Sequence, residues 1–177
     1  MKGQMKNALN ATREFIGRLP DDAVLQVVDF DTKPRAIEGK SREAILRGID
    51  SIRANGATAL NDSILLGVDM LAGADRPVLL VFTDGFDANF DDTGPGSKAT
   101  KQDVLDRIAQ AGIPVFTIGF GKGHDQNTLS RISSLSGGRY YPADDSNALA
   151  QVFKTINDTL SSTFTARYNR PEKSRPS

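Results

Sequence analysis

The chain has no cysteine and a single histidine, His124. A disulfide framework, a thiolate metal site and a cysteine nucleophile are therefore excluded, although the compartment stays open. Net charge is lacking too. The 22 basic side chains balance the 22 acidic ones, and without a basic face the chain does not read as a nucleic-acid binder. Long apolar runs are absent. The longest, Pro77 to Phe82, falls far short of the roughly 20 residues a membrane span needs. No charged-then-apolar signal opens the sequence.

What is there suits one domain with a sizeable core, at 177 residues. Met5, Ala8, Leu9, Thr12, Phe15, Ile16 and Leu19 recur at helical spacing, which predicts a helix over 2–18. Pro20-Asp21-Asp22 ends it, and Ala23 to Phe30 reads as a strand. Pro34 to Ile37 suits an edge strand, where proline is tolerated. Ser41 caps a helix to Arg53, Asn55-Gly56 turns the chain, and Asn61 caps the next helix. Pro77 to Thr83 is a continuous apolar run, as in a strand covered on both faces. A polar, glycine-bearing loop over 86–100 comes next. Helices at 101–111, 126–135 and 147–160 then alternate with strands at 113–120 and 139–142. Residues 162–168 read as extended, and the tail 169–177 as disordered. Strands separated by helices of this length give a doubly wound α/β fold, a mostly parallel sheet with helices on both faces. In such sheets the site lies at the C-terminal strand ends.

Two segments carry the chemistry. Asn55 to Ile64 sets the Thr58 hydroxyl in a small-residue turn before a helix, and Leu79 to Asp87 sets Asp84 just past a buried strand. A carboxylate there is costly without a partner. Both are oxygen ligands of the hard kind that Mg2+ prefers, and no histidine or cysteine cluster competes. Spacing alone equally allows a structural role, with Thr58 capping the helix and Asp84 its own turn.

These segments, Gly-x-Thr-x-Leu-x-x-Ser-Ile and then an apolar strand ending Thr-Asp-Gly, resemble the second and third elements of the metal-ion-dependent adhesion site of von Willebrand factor A (VWA) domains. The order of the other elements is similar over residues 1–168, down to STFTARYNRP, which is similar to the close of bacterial members. The resemblance implies a non-catalytic adhesion module. Mg2+, or Mn2+ or Ca2+, would be held in part by Thr58 and Asp84 and would bridge to the carboxylate of a protein partner. It also implies a bacterial envelope or secreted protein. Family members open with a central apolar strand ending Asp-x-Ser-x-Ser, and that motif does not occur in this sequence. Met1-Lys2-Gly3 resembles the residues immediately after its second serine. The sequence is thus expected to lack the first strand and half the metal site, to hold the ion weakly or not at all, and to fold poorly through exposed strand edges.

An enzymatic alternative rests on Val27 to Thr32, similar to the nucleophile motif of haloacid-dehalogenase-type phosphatases. Asp29 would attack phosphorus and Asp31 would act as acid and base. Asp87-x-Asn89-x-Asp91 resembles a calcium loop, but the sixth and twelfth positions are Asp92 and Lys98, so a solvated acidic loop is the better reading. Gly119-x-Gly121-x-Gly123 is too short for a dinucleotide fingerprint. His124 has no nucleophile motif around it and is expected at the surface.

Overall fold

The alternation of 3.6-residue and continuous apolar patterns becomes six helices and five strands in the computed structural model, which describes residues 2–39, 41–52 and 57–163. Side chains are described from 6 to 161. In chain order the elements are α1 (Lys2–Arg18), β1 (Val27–Phe30), β2 (Pro34–Ile37), α2 (Arg42–Asp50), α3 (Leu60–Met70), β3 (Leu79–Thr83), α4 (Lys101–Ala111), β4 (Val115–Phe120), α5 (Gln126–Ser136), β5 (Tyr140–Ala143) and α6 (Ser146–Thr163).

Strands β3, β4 and β5 form a parallel sheet in that order, with Leu79 opposite Val115 and Thr117 opposite Tyr140. Every residue of β4 is buried, and the strand's two-residue period sends alternate side chains to opposite layers. Phe116, Ile118 and Phe120 join Phe15 and Ile16 of α1, Ile45 and Ile49 of α2, and Phe153 of α6. Val115 joins Ile64 and Val68 of α3 with Ile108 and Leu129 of α4 and α5. The Thr117 hydroxyl, fully buried in this second layer, donates to the Leu129 carbonyl at 3.0 Å and lies 2.8 Å from Ser133 Oγ. That satisfies a polar group that burial would otherwise penalise.

β1 and β2 form a separate antiparallel pair, with Phe30 opposite Pro34. The edge position of Pro34 agrees with the missing amide donor of proline. No backbone ladder joins β1 to β3 among the described residues, and all four residues of β1 are only half-buried. The pair is held instead by packing, through Phe30 against the α3 layer and Leu25 and Val27 against the α1 layer. One hydrogen bond also runs from the Ala59 amide to the Asp31 carbonyl, at 2.8 Å.

Several boundaries differ from expectation. The first strand starts at Val27 rather than Ala23, because residues 23–26 find no ladder partner among the described residues and Val24 points to solvent, 91% exposed. Helix α6 continues through Thr163, so 162 and 163 are helical rather than extended. Asn61 is not the cap of α3: the helix begins at Leu60 with Ala59 at the N-cap and no side-chain cap bond. Asn55-Gly56, 164–168 and the tail 169–177 lie outside the described residues.

Candidate metal centre

The turn Ala57–Ala59, the turn after β3 and the end of β1 converge on one end of the sheet. Thr58 forms an antiparallel bridge with Ala88: its amide donates to the Ala88 carbonyl at 2.8 Å, and the Ala88 amide donates back at 3.1 Å. The bridge puts the Thr58 side chain beside the Asp84–Gly85 turn, where a β-carbon built on Gly85 would lie 3.6 Å from Thr58 Oγ1. The turn that carries Asp84 therefore lies beside the Thr58 hydroxyl.

Neither does the structural work that spacing allowed. Helix α3 has no side-chain cap from Thr58, and the turn after β3 is closed by Thr83, whose hydroxyl accepts from the Gly85 amide at 3.3 Å. Asp84 itself is exposed, so the expectation that burial would demand a partner for it does not hold. Strand β3 ends one residue earlier, and the carboxylate turns to water.

The helix start is capped from a distance instead. The Asp87 carboxylate accepts from the Asn61 amide at 3.1 Å and from the Gly96 and Ser97 amides, each at 3.1 Å; the Ser97 hydroxyl also donates to it. An anion at a helix N-terminus satisfies orphan amides and meets the favourable end of the dipole. Asp62 answers from the helix, accepting from the Lys98 amide at 3.0 Å and the Ala99 amide at 2.9 Å. Asn61 Nδ2 donates to the Ala99 carbonyl at 3.1 Å. Gly96 has to be glycine for this closure: a β-carbon there would come within 2.5 Å of the Ala88 and Thr58 carbonyl oxygens. The acidic loop is thus not merely solvated, as its composition suggested. Asp87 faces inward and holds the loop onto α3, a role that no local spacing signals because its partners are 26 and 10 positions away.

His124 also departs from expectation. Its ring lies over Gly119, where a β-carbon would meet it at 2.3 Å, and its Nε2 is 2.8 Å from the Tyr140 hydroxyl. Burial, then the Asp144 charge, push the Tyr140 pKa up. His124 Nδ1 is buried without a hydrogen-bond partner among the described residues. Sequence spacing gave no hint of this pairing across a strand end.

The phosphatase reading finds no support. Asp29 lies within β1 with its side chain 12% exposed, and its Oδ2 accepts from Arg35 at 2.6 Å across the hairpin. An ion-paired, largely covered carboxylate inside a strand is poorly placed to attack a substrate. Asp31 lies beyond the strand end, where its carboxylate accepts from the Lys33 amide at 3.4 Å.

As metal donors, Thr58 and Asp84 fit in kind: both are hard oxygens, carried on neighbouring turns at the end of β3, and unspent on hydrogen bonds among the described residues. They do not suffice in number, because Mg2+ demands near-octahedral ligation. No group of three or more His, Cys, Asp or Glu among the described residues could hold an ion.

The von Willebrand factor type A domain family model matches residues 1–155. The chain belongs to this family, whose domains generally serve adhesion or interaction rather than catalysis. An uncharacterised protein of Synechocystis sp. is 28% identical over 170 residues, covering 89% of this chain and 39% of its own length. The chain therefore spans well under half of that relative. Among solved structures, a von Willebrand factor type A protein from Catenulispora acidiphila superposes with a TM-score of 0.70 at 22% identity, over 86% of this chain and 37% of that one. Proximal thread matrix protein 1 from the mussel byssus, with a zinc-occupied MIDAS motif, superposes with a TM-score of 0.68 at 16% identity, over 90% of this chain and 43% of its own. At these identities the likeness to the solved structures speaks for the fold.

Proposed function

We propose that this domain recognises a protein partner through a divalent cation, Mg2+ or a similar hard ion, at the Thr58–Asp84 face, and that it does so without turnover. One observation carries the reading. The Thr58 hydroxyl stands beside the Asp84–Gly85 turn, and neither side chain is used to cap the helix or close the turn. Side chains spared from structural duty at a strand end are available to a ligand. The ion would supply a positive centre with an open position, which a partner's carboxylate fills.

Two donors hold such an ion weakly. In this reading the remaining oxygens come with an apolar strand lodged between β1 and β3 and ending Asp-x-Ser-x-Ser. The edges of those two strands, which no ladder occupies among the described residues, support it. The domain is taken to extend to about residue 168, and the mussel protein's zinc-occupied MIDAS motif is a precedent for metal binding by a protein of this fold.

Isothermal titration with Mg2+ and Mn2+ tests the reading. Weak binding is expected for this sequence alone, and binding that Thr58→Ala and Asp84→Asn each remove is expected for a longer polypeptide in which an apolar strand ending Asp-x-Ser-x-Ser is joined ahead of this sequence. Tight binding by this sequence, or binding by the longer one that survives both substitutions, contradicts it.

A further inference from the structure

Residues 84–100 form a long connection without helix or strand between β3 and α4, a kind that is usually functional in a compact domain. The Thr58–Ala88 bridge and the Asp87 and Asp62 carboxylates fix its backbone. A segment so well anchored has every opportunity to fold its aromatic side chains inward. Phe15, Phe116, Phe120 and Phe153 are buried in the core, whereas Phe86 and Phe90 are 53% and 78% exposed. Phe86 directly follows Gly85, the neighbour of Thr58 Oγ1, and Phe90 lies two residues beyond the bridged Ala88.

Charge selects what can cover them. The segment carries four aspartates against one lysine, a net of three negative charges. Asp84, Asp87, Asp91 and Asp92 take part in none of the ion pairs formed among the described residues. Asp91 and Asp92 are exposed beside Phe90. A purely acidic partner would be repelled here. Arginine or lysine would meet both carboxylates and, over an aromatic face, a cation–π contact.

We propose that Phe86 and Phe90, with Asp91 and Asp92, form a second contact surface beside the Thr58–Asp84 centre, fitted to a protein segment whose carboxylate is flanked by basic and aliphatic residues. This deepens the metal-bridged recognition of a partner and depends on it for the carboxylate alone. Exposed aromatic anchors then supply affinity and the acidic rim selects the partner.

Fluorescence anisotropy with two labelled peptides tests it. Each peptide holds one aspartate, flanked in the first by Arg and Leu and in the second by Glu and Ser. With Mg2+ present, the first is expected to bind the chain about tenfold more tightly or better. The double substitution Phe86→Ser with Phe90→Ser should abolish most of that preference. Asp91→Asn with Asp92→Asn should reduce it about threefold and flatten its salt dependence. All four positions are on a surface loop, and far-UV circular dichroism verifies that the variants keep their fold. Equal binding of the two peptides, binding of neither, or a preference unmoved by both double variants overturns the proposal. EDTA separates the two readings. Loss of all binding, with the two peptides equal beforehand, leaves the metal and removes the loop; a preference that survives EDTA but not the phenylalanine substitutions does the reverse.

Discussion

Strands β4 and β1 both read as apolar runs, yet they occupy very different surroundings. β4 is hydrogen-bonded on both edges, to β3 and to β5, and all six of its residues are buried. Among the described residues β1 is paired on one edge only, to β2, and none of its four residues is fully buried. The contrast shows that apolar content does not by itself set how firmly a strand is held. Ladder partners on both sides and helices on both faces do.

Substitutions in the two strands put the contrast to the test. Ile118→Ala, at a fully buried site in β4, is expected to cost about 2–5 kcal/mol in urea denaturation, while Val28→Ala in half-buried β1 stays under about 1.5 kcal/mol. Equal losses would mean that the β1–β2 pair is as integral as the parallel sheet.

Acid titration probes the same half at the α5 start. Burial of Asp125 by itself would raise its pKa, but Lys101 and the Thr128 hydroxyl and amide outweigh it and bring the carboxyl down to about 2 from the ordinary 3.8. A depressed carboxylate stabilises the fold above its unfolded pKa. That stability is lost as pH falls from about 4 toward 2. Discounted because Lys101 is 57% exposed, it amounts to about 1–2 kcal/mol. Asp125→Asn should flatten stability across that window, and an unchanged profile would show that this carboxylate does not anchor α5.

The smallest effect belongs to the hairpin. Arg35, 66% exposed, pairs with Asp29 across β1 and β2, and Arg35→Ala is expected to cost no more than about 1 kcal/mol. A larger loss would move β1 toward the β4 end of the comparison.

The helices were legible because their signals are local. The α1 periodicity and the Ser41 cap, which accepts from the Ala44 amide, both act within a few residues. The parallel strands were legible from unbroken apolar runs. At the candidate centre, Thr58 and Asp84 were named from their motifs, and the structure sets the first beside the turn that holds the second. What the sequence hid depends on distant neighbours. Asp87 reads as one more loop aspartate until Asn61 and Ser97 are folded against it. His124 reads as a surface residue until Gly119 makes room for its ring and Tyr140 meets it. Val24 fits a strand pattern but finds no strand to pair with among the described residues.

The bridge between Thr58 and Ala88 has a mechanical consequence. It ties the loop 84–100 to the turn that leads into α3 by paired amide–carbonyl bonds, and the bonds at Asp87 and Asp62 extend the tie to the first turn of the helix. Tension applied by a partner to Phe86 or Phe90 would be borne by several hydrogen bonds at once and passed into a helix packed in the core. The loop is therefore poorly suited to swing as a hinged lid. It would serve as a fixed handle, through which the proposed partner would pull on the whole domain.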